Sequence, residues 1–157
     1  MKNVIKMNAI PPKSTVMNGF DSIDYYDTYL IKKKTSKSAA SISNELMRLP
    51  GWVALLLRLR NSIVTIFGLK TDRPNLERTS FFTMIENNEN EIVMGEDDKH
   101  LNFRASVMKD PTENTITLTT VVHFNNRWGR VYFFPVKPFH KIIMRTLLNR
   151  YLKKNDD

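Results

Sequence analysis

The sequence contains no cysteine, only five glycines and no long apolar run free of charge. Without cysteine the chain cannot form disulfides, thiolate metal sites, iron–sulfur clusters or a cysteine nucleophile. The glycines lie far apart, so no glycine-rich phosphate-binding loop is present. The N-terminus lacks the apolar stretch of a secretory signal. With the lack of cysteine, this leads us to expect a cytoplasmic protein.

The most apolar stretch, residues 52–69, carries Arg58, Arg60 and Asn61 at its centre. Two arginines and an amide at the middle of a bilayer would cost several kcal/mol in insertion free energy. We therefore predict a helix of the protein core and no membrane span.

The 157 residues suffice for one domain, and 41% of them are hydrophobic, with nine Phe, five Tyr and two Trp to fill a core. Residues 1–18 show no hydrophobic period and contain the pair Pro11-Pro12. We therefore predict a mobile lead-in over residues 1–18 and a single domain over residues 19–154.

The net charge of +8 is unevenly distributed. Residues 1–70 carry 11 basic and 4 acidic side chains, residues 71–113 carry 5 and 10, and residues 114–157 carry 8 and 2. The basic stretches show none of the interleaved aromatics used for base stacking. We expect no nucleic-acid partner, keep a basic surface for nucleic acid or anionic membrane as a weaker alternative, and connect the charge mainly with solubility.

The hydrophobic period predicts an α+β fold. Residues 21–31 alternate as a strand, and residues 38–49 and 52–67 repeat as two helices. The period then changes to two, and Pro138 opens a last helix, residues 138–153. The candidate strands after the two helices are residues 79–86, 91–95, 99–108, 114–124 and 128–134. Their short turns predict an antiparallel meander, curved around the long C-terminal helix.

Two polar side chains fall inside apolar helix arcs. On the second helix, Arg60 shares an arc with Trp52 and Leu56; it either extends its head to the rim or points a guanidinium at a ligand carboxylate or a buried acid. On the last helix, His140 shares an arc with Ile143 and Leu147. It is either a hydrogen-bonded core residue or a donor or acceptor in a cavity.

The strand over residues 99–108 presents Phe103 on its apolar face and His100 and Arg104 on the other. With Asp98 these two could form a surface charge network. A metal site using Asp97, Asp98 and His100 lacks a further ligand from another element, so we expect neither a metal nor another cofactor.

Three motifs carry a resemblance to a known family. They are Asp98-x-His100-Leu101-x-Phe103-Arg104, Asn126 with Gly129-Arg130-x-Tyr132, and Pro138-Phe139-His140. In this order they resemble a bacterial domain-of-unknown-function family with the SRPBCC helix-grip fold, which START lipid-transfer domains and polyketide cyclases share. The resemblance covers about residues 20–152. Since members also occur behind an NAD(P)-binding domain, it implies an NAD(P)-binding protein as a candidate partner. Where the family more often has an acidic residue, this chain has Asn102.

Two functions follow as hypotheses. The first is a domain that binds a small hydrophobic or amphipathic ligand between the sheet and the last helix. Its predicted ligand-binding residues are Trp52, Leu56, Arg60, Phe103, Tyr132, His140, Ile143 and Leu147. The second is a cyclase-like or isomerase-like enzyme, with His140 as general acid or base and Arg60 or Arg130 stabilising an oxyanion.

Overall fold

A computed structural model describes residues 3–51, 55 and 82–155 of the chain. The described helices and strands, in chain order, are β1 (Ile5–Met7), β2 (Tyr25–Lys32), α1 (Ala39–Leu46), β3 (Thr83–Asn87), β4 (Glu91–Asp97), β5 (Leu101–Asp110), β6 (Thr115–Phe124) and α2 (Arg127–Lys154). The predicted helix over residues 52–67, with Trp52, Leu56 and Arg60, lies outside the described residues except for residue 55.

All six strands join one antiparallel sheet in the order β1-β2-β6-β5-β4-β3. The strands β3 to β6 form the predicted meander, and β2 pairs with β6 from Tyr25↔Val122 to Lys32↔Thr115. This confirms the α+β class with an antiparallel sheet and a long C-terminal helix.

The two faces of the sheet are covered by different parts of the chain. On the inner face, Tyr29 and Leu118 pack with Ile42 of α1 and Leu148 of α2 in the main core cluster. On the outer face, Val16 packs on Val93 and Val121. Alternation along each strand explains the division, because successive side chains point to opposite faces.

The helix α1 begins where the sequence predicts. Ser38 is its N-cap, with a side-chain oxygen that accepts a hydrogen bond from the Ser41 backbone N at 3.2 Å. Ile42 and Leu46, four residues apart, are buried against the sheet.

The predicted strand over residues 128–134 is wrong, and the last helix begins at Arg127 rather than Pro138. The Asn126 side chain accepts hydrogen bonds from the backbone N of Trp128 at 3.0 Å and of Gly129 at 3.2 Å, which starts the helix eleven residues early. Within the described residues the meander therefore has four strands. Pro135 and Pro138 lie inside α2 at exposed positions, where water can bond the carbonyls that they leave without an N–H partner.

The N-terminal segment predicted as a lead-in contacts the sheet at two places. β1 pairs with β2, with Ile5 opposite Leu30. Further along, the buried Glu91 carboxylate accepts hydrogen bonds from the Thr15 backbone N at 3.0 Å and from the side chains of Ser14 and Ser106. These bonds hold Val16 against the outer face.

Candidate functional site

A polar cluster lies on the inner face of the sheet, under the middle of α2. The Tyr25 hydroxyl donates a hydrogen bond to Asp27 Oδ2 at 2.7 Å, and His140 Nδ1 lies 3.0 Å from the same oxygen. Tyr25 and Asp27 are two residues apart in β2, so their side chains share one face. His140 reaches them from the helix above.

The Asp27 carboxylate is deeply buried, with 1% of its surface exposed. Its second oxygen, Oδ1, has no hydrogen-bond partner among the described residues. Thr120, paired with Asp27 across the β2–β6 ladder, is 4% exposed, and its hydroxyl also lacks a partner there. Such orphan groups are rare in folded proteins and point to a bonding partner such as a water or a ligand.

The two tyrosines on this face are held in their neutral forms. Burial raises the pKa of Tyr25 far above its usual value of 10.0, and its hydrogen bond to Asp27 raises the pKa further. Burial also raises the pKa of Tyr29, with a smaller contribution from the Asp27 charge, while Arg145 opposes the shift. Both phenols therefore remain hydrogen-bond donors over the physiological pH range.

The imidazole of His140 is arranged for acid–base chemistry. With Nδ1 bonded to a carboxylate, that nitrogen carries the proton, and in the neutral ring Nε2 carries the lone pair. None of the described residues hydrogen-bonds Nε2, and the His140 side chain is 20% exposed. An orienting carboxylate beside a histidine with one available nitrogen is the arrangement of a general base.

Five of the eight predicted ligand-binding residues are described, and the structure places these five on the inner side. Phe103 and Tyr132 are partly buried and pack, with Tyr25 and Phe124, against Leu101, Val122 and Phe133. We call this group of seven residues the aromatic cluster. Ile143 packs against the main core cluster, and Leu147, 3% exposed, is part of it. These four side chains line the same interface as His140, but as packed residues.

The motif residues Asp98, His100, Arg104 and Arg130 do not form one charge network. Arg104 Nη1 pairs with Asp97 Oδ1 at 2.7 Å rather than with Asp98, and its guanidinium lies 5.0 Å from the Phe20 ring centroid. Arg130 pairs instead with Asp24 of another segment, at 3.6 Å.

His100 and Asn126 have a structural role at the junction of β6 and α2. Asn126 Nδ2 lies 2.9 Å from His100 Nδ1; since Asn126 Oδ1 caps the helix, Nδ2 is the donor and His100 Nδ1 the acceptor. The carbonyl of His100 lies so close to Gly129 that a Cβ at that glycine would overlap it. The first two motifs therefore join the sheet to α2.

Arg130, one of the two oxyanion partners predicted for His140, does not lie beside it. Arg130 precedes His140 by ten residues in α2, which is about 15 Å along a helix axis, and it faces Asp24. Arg60 lies outside the described residues.

Asp27, Tyr25 and Thr120 are the site residues that we do not predict from the sequence. A signal for Asp27 was available: in the alternating run Tyr25, Asp27, Tyr29, Ile31 it is the charged residue among apolar ones. Asp27 is thus a polar residue on the apolar face of its strand, as His140 is on the apolar face of its helix.

A cavity of about 110 Å³ lies elsewhere, at the end of the sheet near the β5–β6 turn. It is lined by Lys33, Lys34, Thr35, Lys109, Asp110, Pro111, Asn114 and Thr115. None of the predicted ligand-binding residues that the structure describes lines it. Within the described ranges, no group of three His, Asp or Glu side chains is placed to hold a metal ion. In the same part of the chain, no helix combines the length and apolarity needed to cross a membrane.

Comparison with known proteins gives one family match. A family model described as protein of unknown function (DUF2867) matches residues 18–147. The chain belongs to the DUF2867 family. No match was found among curated proteins or among solved structures. The DUF2867 region includes Tyr25, Asp27, Thr120 and His140, so the whole inner-face cluster lies within it.

Proposed function

We propose that this DUF2867 protein binds a small amphipathic molecule between the sheet and α2, with the cluster of Tyr25, Asp27 and His140 as its polar end. The observation that carries the proposal is that Asp27 Oδ1 and Thr120 Oγ1, two buried oxygens of paired residues, both lack a hydrogen-bond partner among the described residues. A buried carboxylate oxygen without a donor is costly in folding free energy. A ligand with an O–H or N–H group would supply that donor.

The apolar part of the ligand has surfaces on both sides of this polar cluster. The aromatic cluster lies toward the start of α2, where Phe133 packs on Tyr25 with ring centroids 4.8 Å apart. The main core cluster lies toward its end, around Leu147 and Leu148. Apolar walls with a few polar groups between them are typical of small-molecule sites.

We also propose that the chain has the SRPBCC helix-grip fold. Strand β2 pairs with the last strand of the meander, and α2 covers the same face, as the resemblance to the SRPBCC helix-grip fold implies. Relatives of that fold enclose ligands between sheet and C-terminal helix. A cytoplasmic location and an NAD(P)-binding partner belong to the same proposal.

A fluorescent probe tests ligand binding. N-phenyl-1-naphthylamine combines an apolar body with one N–H donor, and we expect saturable binding with one site per chain. Asp27→Asn and Thr120→Val should each weaken binding about tenfold, the effect of about one hydrogen bond to a buried or charged group. Thr119→Val is the matched control, because Thr119 is equally buried but bonds Thr28 on the outer face. Unsaturable binding, or equal losses in all three variants, would refute the proposal.

A second candidate function is proton-transfer catalysis, favoured by the 3.0 Å contact between Asp27 and His140 Nδ1. His140 would act as the base of an isomerase or cyclase, with Asp27 holding its tautomer. The test is exchange of α-carbon protons of small ketones in D₂O, followed by NMR. His140→Gln should abolish protein-dependent exchange, whereas His123→Gln, a second partly exposed histidine, should retain it. No exchange with the wild-type protein excludes catalysis on these substrates.

A further inference from the structure

A row of large apolar side chains on the first half of α2 faces away from the protein. The exposed fractions are 66% for Trp128, 62% for Val131, 83% for Phe134, 51% for Phe139 and 53% for Ile142. We call these five residues the outer stripe. Single exposed apolar residues are ordinary, but five on half of one helix form a contiguous surface, and such surfaces mark interaction sites.

The spacing of the outer stripe makes it continuous. At about 100° per residue, its members fall within one arc of the helix, and the exposed rings of Pro135 and Pro138 fall within the same arc. The buried residues Phe133 and Met144 lie on the opposite side. The helix therefore has two apolar faces, one in the core and one outside.

The charge of α2 is of one sign. From Arg127 to Lys154 the helix carries eight Lys and Arg residues and neither Asp nor Glu. Arg127 and Lys141 lie beside the outer stripe, whereas the Lys137 ammonium is turned to the Tyr25 ring, 5.2 Å from its centroid. Exposed aromatics beside a row of cations are characteristic of helices that lie in the interface of an anionic bilayer.

We infer that the outer stripe of α2 is a docking surface for anionic lipid bilayers, with Trp128 and Phe134 entering the interface and the neighbouring cations meeting lipid headgroups. Tryptophan favours this depth because its ring is amphipathic. The helix would lie on the bilayer, not cross it.

Charge argues against a second copy of the chain on this surface. In a two-fold symmetric contact, the cations beside the outer stripe would lie close to the same cations of the second copy. The helix α2 offers no acidic side chain to offset this repulsion. Nucleic acid is disfavoured for a different reason: Val131, Ile142 and the proline rings cannot stack on bases as aromatic rings do. An acyl-chain interface accepts all of these groups.

The inference is independent of the proposed ligand site. The outer stripe lies on the side of α2 away from His140, and its residues take no part in the inner-face cluster. A protein that fails to bind a small molecule could still bind membranes through this surface, and the reverse also holds.

Vesicle sedimentation tests the docking surface with the full chain. We expect binding to vesicles of phosphatidylcholine mixed with phosphatidylglycerol, much weaker binding to phosphatidylcholine alone, and a loss of affinity as salt rises. The double variant Val131→Ser with Phe134→Ser should weaken binding by about tenfold or more. Its control is Met84→Ser with Ile85→Ser in β3, which removes apolar side chains of 46% and 44% exposure elsewhere.

The cations are tested in the same way. Arg127→Gln with Lys141→Gln should weaken binding to the mixed vesicles about tenfold or more. The control is Lys6→Gln with Lys32→Gln, two exposed lysines of β1 and β2, which should change binding little. Three results would overturn the inference: no binding of the wild-type chain to anionic vesicles, equal losses in stripe and control variants, or a dimer in sedimentation velocity that the stripe variant abolishes. The last result would assign the stripe to a second copy.

Discussion

His140 Nδ1 lies 3.0 Å from Asp27 Oδ2, a contact between the last helix and the first long strand across 113 residues of sequence. This contact connects α2 to β2, and it is also the centre of the candidate site. Asp27 is almost completely buried, so a charged carboxylate there depends on His140 and Tyr25 for its hydrogen bonds. Stability and function are therefore coupled at this pair.

Replacing His140 by alanine should lower the free energy of unfolding by about 2–3 kcal/mol, because the buried Asp27 carboxylate would keep only the Tyr25 hydroxyl as a donor. Urea unfolding, monitored by circular dichroism, measures this loss.

The double variant Asp27→Asn with His140→Ala is the control for that experiment. It removes the buried charge together with its partner, so it should be more stable than His140→Ala alone. Simple addition of the two single losses would show that Asp27 and His140 do not interact.

Periodicity alone predicts the outline of the fold. The alternating runs give β2, β4, β5 and β6 within a few residues of their observed ends. The same reasoning puts His140 on the inner side of its helix, but it cannot name Asp27 as the partner. The two residues meet only through the register of β2 with β6 and the placement of α2 over the sheet.

The early part of α2 could not be predicted in this way. Residues 131–134, Val-Tyr-Phe-Phe, are β-branched or aromatic, and Pro135 and Pro138 normally end a helix. The cap at Asn126 and the close approach of the His100 carbonyl to Gly129 favour a helix from Arg127 onward, and both depend on tertiary structure. The outer stripe depends on this helix, because in a strand Trp128, Val131 and Phe134 would not all point to one side.

Alkaline pH should destabilise the protein through its buried tyrosines. The pKa values of Tyr25, Tyr29 and Tyr151 are raised in the folded state above 10.0, mainly by burial. A raised folded-state pKa gives stability that is present below pH 10.0 and lost as pH rises above it, because only the unfolded chain releases the proton easily. Thermal unfolding from neutral pH to above pH 10 measures the decline.

Tyr25→Phe separates the largest of these contributions. The variant loses the phenol with the most strongly raised pKa, so its stability should fall less steeply above pH 10 than that of the wild type. Tyr26→Phe, at a 39% exposed position of the same strand, should leave the slope unchanged. A Tyr25→Phe slope equal to that of the wild type contradicts the prediction.

Gly129→Ala should be severely destabilising, although alanine normally favours a helix over glycine. The new Cβ would overlap the carbonyl oxygen of His100, which is backbone and cannot move aside without shifting the β6–α2 junction. We expect a loss of about 2–4 kcal/mol in unfolding free energy. At Gly51 a Cβ meets no atom of the described residues within 4 Å, so Gly51→Ala should be close to neutral. Similar losses at both glycines would show that the junction is not tight.

Glu91→Ala should release the N-terminal segment from the outer face while leaving the sheet intact. The Glu91 carboxylate is 3% exposed and accepts hydrogen bonds from Ser14, Thr15 and Ser106, so its loss leaves those donors without their acceptor. Hydrogen exchange should then speed up selectively at residues 14–18, with little change in β5 and β6. Glu89→Ala is the control, because the Glu89 side chain is 70% exposed and its carboxylate pairs with Lys109. Unchanged protection at Val16 would mean that its apolar packing on Val93 and Val121, and not the carboxylate, holds the segment in place.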